Sequence, residues 1–166
     1  MQTKLRLLSL LSAAALSISI TGNAIADNGP LKTSMDAYVI TKDANGKEIA
    51  EKTTEVEPKQ TVEFRATYKN TSNDTLENVV ISGPIPKSTH YQAGSAKTQV
   101  AATFEVSIDG GKTFESEPVK RMRKSANGEM IEVIIPASEY TNVRWIPTSG
   151  IAGNETQYYS YRVSVE

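Results

Sequence analysis

An all-β fold is predicted, an antiparallel β-sandwich or barrel of about eight or nine strands, on three observations. Short runs after residue 34 alternate apolar and polar residues with a period of two. Gly, Pro, Asn and Asp signals interrupt these runs at the spacing of strands joined by turns. After the first 26 residues, no long stretch holds a helical period. There is no internal repeat and no low-complexity linker, so residues 35–166 read as a single domain.

The elements follow in order. Asp36 to Thr41 is rich in β-branched and aromatic residues, and Asp43-Ala44-Asn45-Gly46 is a turn signal. Lys47 to Val56 returns as a polar strand whose lysines and glutamates suit a sheet edge. Pro58-Lys59-Gln60 is a corner. In Thr61 to Lys69, Val62, Phe64, Ala66 and Tyr68 point to one face, and Glu63, Arg65, Thr67 and Lys69 to the other. Asn70 to Thr75 is a polar loop, in which Asn70 and Asp74 are suited to cap backbone groups. A strand is expected over Leu76 to Ser82, stopped by Gly83-Pro84-Ile85-Pro86. Thr89 to Tyr91 is a short extended piece, and Ala102 to Ile108 is a strand that turns at Asp109-Gly110-Gly111-Lys112. Lys120 to Gly128 reads as a charged loop, and Glu129 to Ile135 as an apolar strand with Met130 in the core. Asn142 to Ile146 carries the only tryptophan, Trp145, expected as a core anchor between sheets. In the last strand, Tyr159, Tyr161, Val163 and Val165 share one face.

Residues 1–26 have the tripartite plan of a secretory signal peptide. Lys4 and Arg6 lead, Leu7 to Ile20 are uncharged, and Ala24-Ile25-Ala26 places small residues before Asp27. The apolar run of about 14 residues is shorter than the ~20 that a spanning helix needs. Residues 27–34 read as a short flexible N-terminus. The whole chain has net charge −1; without residues 1–26 it carries 16 Lys and Arg against 19 Asp and Glu, a net of −3. That balance gives no pull toward nucleic acid. With no cysteine in the chain, disulfides, thiolate metal sites, a thiol nucleophile and a lipid-bearing cysteine are excluded. A remainder of 140 residues buries enough surface for a core without covalent staples.

Several segments together resemble a known family. Tyr68 to Ile81 is similar to its strand–loop–strand pattern, with the Asn70-Thr71 pair closing one strand. Pro86, Thr89-His90-Tyr91 and Gly94-Ser95-Ala96 look like its proline turn and tyrosine, glycine-serine segment. Val106 to Phe114 resembles its Asp-Gly-Gly hairpin, and Val143-Arg144-Trp145, Ile151-Ala152-Gly153 and Tyr159 to Val165 its closing block. The family is the bacterial "conserved repeat domain" (domain of unknown function eleven), and the likeness covers roughly residues 56 to 166. It implies an immunoglobulin-like sandwich in an exported or cell-surface protein, with no catalytic residues to carry over. Members often occur in tandem, whereas this chain holds one copy.

The remaining motifs read as structural. Ser107-x-Asp109-x-Gly111-x-Thr113-Phe114 has the spacing of an Asp-box, whose Asp and Thr side chains tie a hairpin together. Lys120-Arg121-Met122-Arg123-Lys124 is a basic cluster suited to anionic lipid, polysaccharide or nucleic acid. It reads more simply as a solvated loop balanced by Glu115, Glu117 and Glu129. His90, the only histidine, reads as a surface residue. Asp43, Asp74 and Asp109 lie in loops without calcium-loop spacing. Met35, Met122 and Met130 do not form a copper-binding spacing. Asn70, Asn73 and Asn154 begin glycosylation sequons that are inert in most bacteria.

The expected function is therefore non-enzymatic: an exported immunoglobulin-like domain acting as a cell-envelope or extracellular structural or interaction protein, located in the periplasm or outside the cell. No catalytic, cofactor or metal residue is assigned. The expected partner is an unspecified protein or envelope component, with no nucleic acid and no integral membrane span after signal removal. Two alternatives stand. One is a pilus- or fibre-like subunit that assembles by strand pairing. The other is a carbohydrate-binding module, using Trp145 or several of Tyr158, Tyr159 and Tyr161.

Overall fold

The computed structural model describes residues 29–166 and the pair Leu16–Ser17. Apart from that pair, the expected signal segment 1–26 lies outside the described residues, as do residues 27 and 28 of the expected flexible N-terminus. The strands are β1 (Leu16–Ser17), β2 (Leu31–Lys42), β3 (Glu48–Lys52), β4 (Glu55–Val56), β5 (Thr61–Asn70), β6 (Ile81–Pro84) and β7 (Thr89–Tyr91). They continue with β8 (Lys97–Thr98), β9 (Ala102–Ser107), β10 (Lys120–Lys124), β11 (Met130–Ile134), β12 (Asn142–Pro147) and β13 (Thr156–Val165). One short 3-10 turn, Ala137–Glu139, precedes β12. The expected all-β class is observed, and every strand pair is antiparallel.

The larger sheet runs β3-β2-β5-β13-β7, with β8 also beside β13; the smaller runs β6-β12-β9. Alternation in β5 and β13 decides how they pack. Val62, Phe64, Ala66, Tyr159, Tyr161, Val163 and Val165 are buried, all on one face of the larger sheet. From the smaller sheet, Ile81, Val106, Val143 and Trp145 face them. The Trp145 ring lies 5.3 Å from Phe104 within its own sheet, and 5.5 Å and 6.2 Å from Tyr159 and Tyr161 across the interface. Each such buried large side chain contributes roughly 1.5–3 kcal/mol. Trp145 is thus the core anchor that its size suggested.

Close backbone approach completes the packing. A Cβ at Gly83 of β6 would meet the Tyr161 ring at 2.7 Å, so only glycine lets the ring sit there. The Tyr161 hydroxyl donates to the Pro84 carbonyl, and burial pushes its ionisation well up. As expected for its lysines and glutamates, β3 lies at a sheet edge.

Four readings of the sequence need correction. β2 begins at Leu31, not after residue 34, and pairs Leu31 with Asn70 through Ser34 with Thr67. Lys32, Thr33 and Ser34 are exposed, so backbone pairing rather than burial holds this end. Over Leu76 to Ser82 the strand starts only at Ile81, and Leu76 forms a single bridge with Ile151. Asn78 interrupts with a φ of 54°, a left-handed conformation that asparagine tolerates. Lys120 to Gly128 is no loop: its first five residues form β10, which pairs with β11. Finally, Met130 is 60% exposed rather than part of the core.

Candidate interaction surface

The β10–β11 ribbon is built from its base upward. Val119 and Ile135, the residues below it on each side, are each 1% exposed. The Ile135 N–H donates to the Val119 carbonyl at 2.9 Å, and the Val119 N–H to the Tyr140 hydroxyl at 3.3 Å. At the far end, Ser125 donates its N–H to the Glu129 carbonyl at 2.8 Å, and Gly128 takes the positive φ that the turn requires. Between these ends, among the described residues, β10 and β11 pair only with each other. The result is an arm rooted in the core, with no strand among the described residues paired to either edge.

The pairing register sorts the arm's side chains by face. Opposed residues of an antiparallel pair share a face, so Lys120 stands beside Ile134, Met122 beside Glu132, and Lys124 beside Met130. Ile134, Met122 and Met130 then run as a diagonal apolar line with a lysine at each end. They are 63%, 57% and 60% exposed. Arg121, Arg123, Ile131 and Val133 occupy the opposite face.

Ion pairs on the arm are peripheral. Lys120 meets Glu132 at 2.8 Å, Arg123 meets Glu139 at 3.9 Å, and Arg121 pairs with Glu115. The Arg121 guanidinium holds the Glu115 carboxyl below its ordinary range. Of the three acids expected to balance the cluster, Glu115 does so. Glu129 instead accepts from Asn127 within the turn, at 3.0 Å. Glu132, on β11, and Glu139, in the 3-10 turn, supply the other two partners.

The outer face of the larger sheet carries a different pattern. Arg162 donates from Nε to Glu63 at 2.7 Å and from its two terminal nitrogens to Glu48 at 2.9 and 2.7 Å. Arg65 bonds Glu63 at 2.6 Å and lies over the Tyr38 ring at 4.4 Å. Burial pushes the Glu63 carboxyl up, but the bonds from Arg162 and Arg65 outweigh it and hold the group below its ordinary range. These charges satisfy one another and brace strands β3, β5 and β13. Beside them a groove of about 340 Å³ is lined by Arg65, Lys97, Gln99 and Tyr158, among others.

Aromatic residues do not form a strip. Trp145, Tyr159 and Tyr161 are buried, and Tyr158 alone of the four is exposed. His90 is half-buried and meets Glu166 at 3.0 Å. Asp43 accepts from the backbone of Asn45 and Lys47 and so closes its own turn. Among the described residues, no three His, Asp or Glu side chains converge as a metal-holding group.

The Asp-box spacing has the structural role expected. Asp109 accepts from the Thr113 hydroxyl at 2.6 Å, the Thr113 N–H at 2.9 Å, the Ser107 hydroxyl at 2.7 Å and the Lys112 N–H at 3.0 Å. Together these hold its carboxyl well below the usual range. A lowered folded pKa means the turn is fully supported above the unfolded value of about 3.9 and loses support as pH falls below it. Relative to the intrinsic exchange rate at each pH, protection of the Lys112 and Thr113 amides is expected to fall in that acid window, and in Asp109→Ala already at neutral pH. Unchanged exchange in the variant would show that the carboxylate does not hold the turn.

No family model, curated protein or solved structure matches the chain.

Proposed function

We propose that this chain is an exported, non-catalytic immunoglobulin-like domain, a cell-envelope or extracellular interaction protein that binds through its β10–β11 arm. The observation that carries the reading is the arm itself. Seven large apolar residues are exposed among the described residues, and four of them, Met122, Met130, Ile131 and Ile134, lie on it. A ribbon with open edges and exposed apolar side chains is a hazard that soluble proteins avoid unless something covers it. Residues 1–26 support export through their charge, apolar run and small-residue end.

Support for the immunoglobulin-like arrangement comes from the order in which strands alternate between sheets. The chain leaves the larger sheet after β5 for β6, returns for β7 and β8, crosses again for β9 and β12, and ends in β13. Such crossings are characteristic of Greek-key sandwiches. The family resemblance points the same way.

Because the Ile135 N–H already bonds the Val119 carbonyl, as across a tight turn, residues 120–134 can be replaced by a two-residue Asn-Gly turn. The shortened chain is expected to fold and be exported, with its N-terminus at Asp27, yet to leave the envelope fraction in which the full chain is recovered. Equal fractionation of the two chains would refute the arm's role, and retention of residues 1–26 would refute export as a processed protein.

A further inference from the structure

We infer that the arm docks flat on an anionic lipid surface through the face that carries Met122, Met130 and Ile134. This deepens, and rests on, the reading of the arm as the binding element. Three observations select a lipid surface.

First, the face combines apolar and basic groups in the pattern of an interfacial segment. Its exposed apolar line is flanked by Lys120 and Lys124, long side chains whose ammonium groups reach headgroup level while their stems cover apolar surface. Glu132, the one acid on that face, is already paired with Lys120.

Second, charge is segregated. Residues 120–134 hold four basic and two acidic residues, whereas the rest of the chain from Asp27 onward holds 12 basic and 17 acidic; Lys120, Arg121 and Arg123 are paired with Glu132, Glu115 and Glu139, so among the described residues Lys124 is the arm's one basic group outside an ion pair. An anionic surface attracts the arm and repels the body, so the molecule is oriented with this face down.

Third, the other occupants fit less well. A strand added at either edge would extend the ribbon and leave the apolar face uncovered. A second copy stacked face to face would bring together two faces of like net charge, each with Lys120 and Lys124 against the single Glu132. A bilayer needs no matching shape, and methionine adapts to it readily.

The test is flotation of the processed chain with vesicles of phosphatidylcholine, alone or with about 30% phosphatidylglycerol. Partitioning is expected to be about tenfold stronger on the anionic vesicles and to weaken as salt is raised. Met122→Ser, Met130→Ser and Ile134→Ser combined should reduce it about tenfold, as should Lys120→Gln with Lys124→Gln. Unchanged emission from the buried Trp145 verifies that each variant is folded. Failure to float with anionic vesicles overturns the inference. So does equal partitioning of the triple variant, or equally strong binding to soluble polyglutamate, which would reduce the interaction to charge alone. If vesicles fail but the Asn-Gly chain still leaves the envelope fraction, the arm binds a protein and only the lipid is wrong. If both fail, the arm is not the binding element.

Discussion

Replacing Trp145 with alanine is expected to lower folding stability by about 3–5 kcal/mol, a large share of the roughly 5–15 kcal/mol that holds a typical domain folded. The residue is 3% exposed, and its ring touches both sheets. Alanine removes the packing partner of Phe104, Tyr159 and Tyr161 together. A β-sheet cannot shift one strand inward without breaking register with its neighbours, and β12 is paired on both sides, to β6 and to β9. The cavity would therefore remain largely unfilled. Urea unfolding followed by far-UV circular dichroism measures the change. Trp145→Phe should recover more than half of the loss, because it retains a ring at the interface. A loss below about 1 kcal/mol for alanine would show that the two sheets are not held together through this residue.

Asn70→Ala is expected to cost about 3 kcal/mol, although it removes a small polar side chain. Asn70 is fully buried at the end of β5. Its amide nitrogen donates to the carbonyls of Asp74, Ile151 and Ala152 at 2.7, 3.0 and 3.0 Å. Its side-chain oxygen accepts from the Ser72 N–H at 2.9 Å and the Ser72 hydroxyl at 2.8 Å. One side chain thus satisfies the backbone of two loops distant in sequence. They lie so close that a Cβ at Gly153 would fall 2.1 Å from the Asn73 carbonyl oxygen. Truncation removes all these bonds at once: each carbonyl keeps a single donor, the Ser72 hydroxyl for Asp74, the Leu76 N–H for Ile151 and the Glu155 N–H for Ala152, and the Ser72 N–H loses its acceptor. Asn70→Asp should be worse at neutral pH, since a carboxylate would face three carbonyl oxygens. Its excess loss should shrink as pH falls and the carboxyl gains a proton. Thermal melts at pH 7 and pH 4 measure both effects. Equal stability of Asn70→Asp and the parent at neutral pH would contradict this account.

The parts of the fold legible in the sequence are those where one face is wet and the other dry. β5 and β13 alternate cleanly because their outer residues, such as Arg65 and Arg162, are charged and their inner ones are aromatic or aliphatic. Asp109 was legible because its hydrogen bonds are local, and so was Asn70 in its bonds to Ser72 and Asp74, whereas its bonds to Ile151 and Ala152 depend on the fold. Three features were hidden. Leu31 to Ser34 extend the backbone ladder with β5, which a mostly polar run of side chains does not advertise. Val79 and Val80 look strand-like, but Asn78 breaks the ladder before them. The arm was hidden in two halves. Its basic strand has the composition of a solvated loop, and its apolar strand has that of a core strand. Periodicity cannot separate a buried apolar strand from an exposed one. The register sets Met122 opposite Glu132 and Met130 opposite Lys124, and the exposure of Met122, Met130, Ile131 and Ile134 shows that both strands stand clear of the core. The basic cluster is visible in the sequence, but Met130, which stands opposite Lys124, reads there as core.

Hydrogen exchange read by mass spectrometry, on the chain from Asp27 onward with and without isolated envelope membranes, tests the central claim most directly. Slowed exchange confined to residues 120–134 is predicted, with the groove beside Tyr158 and the loop at Asp109 unchanged. Protection centred on either of those places, or no protection at all, would contradict the assignment of the arm as the surface through which this protein acts.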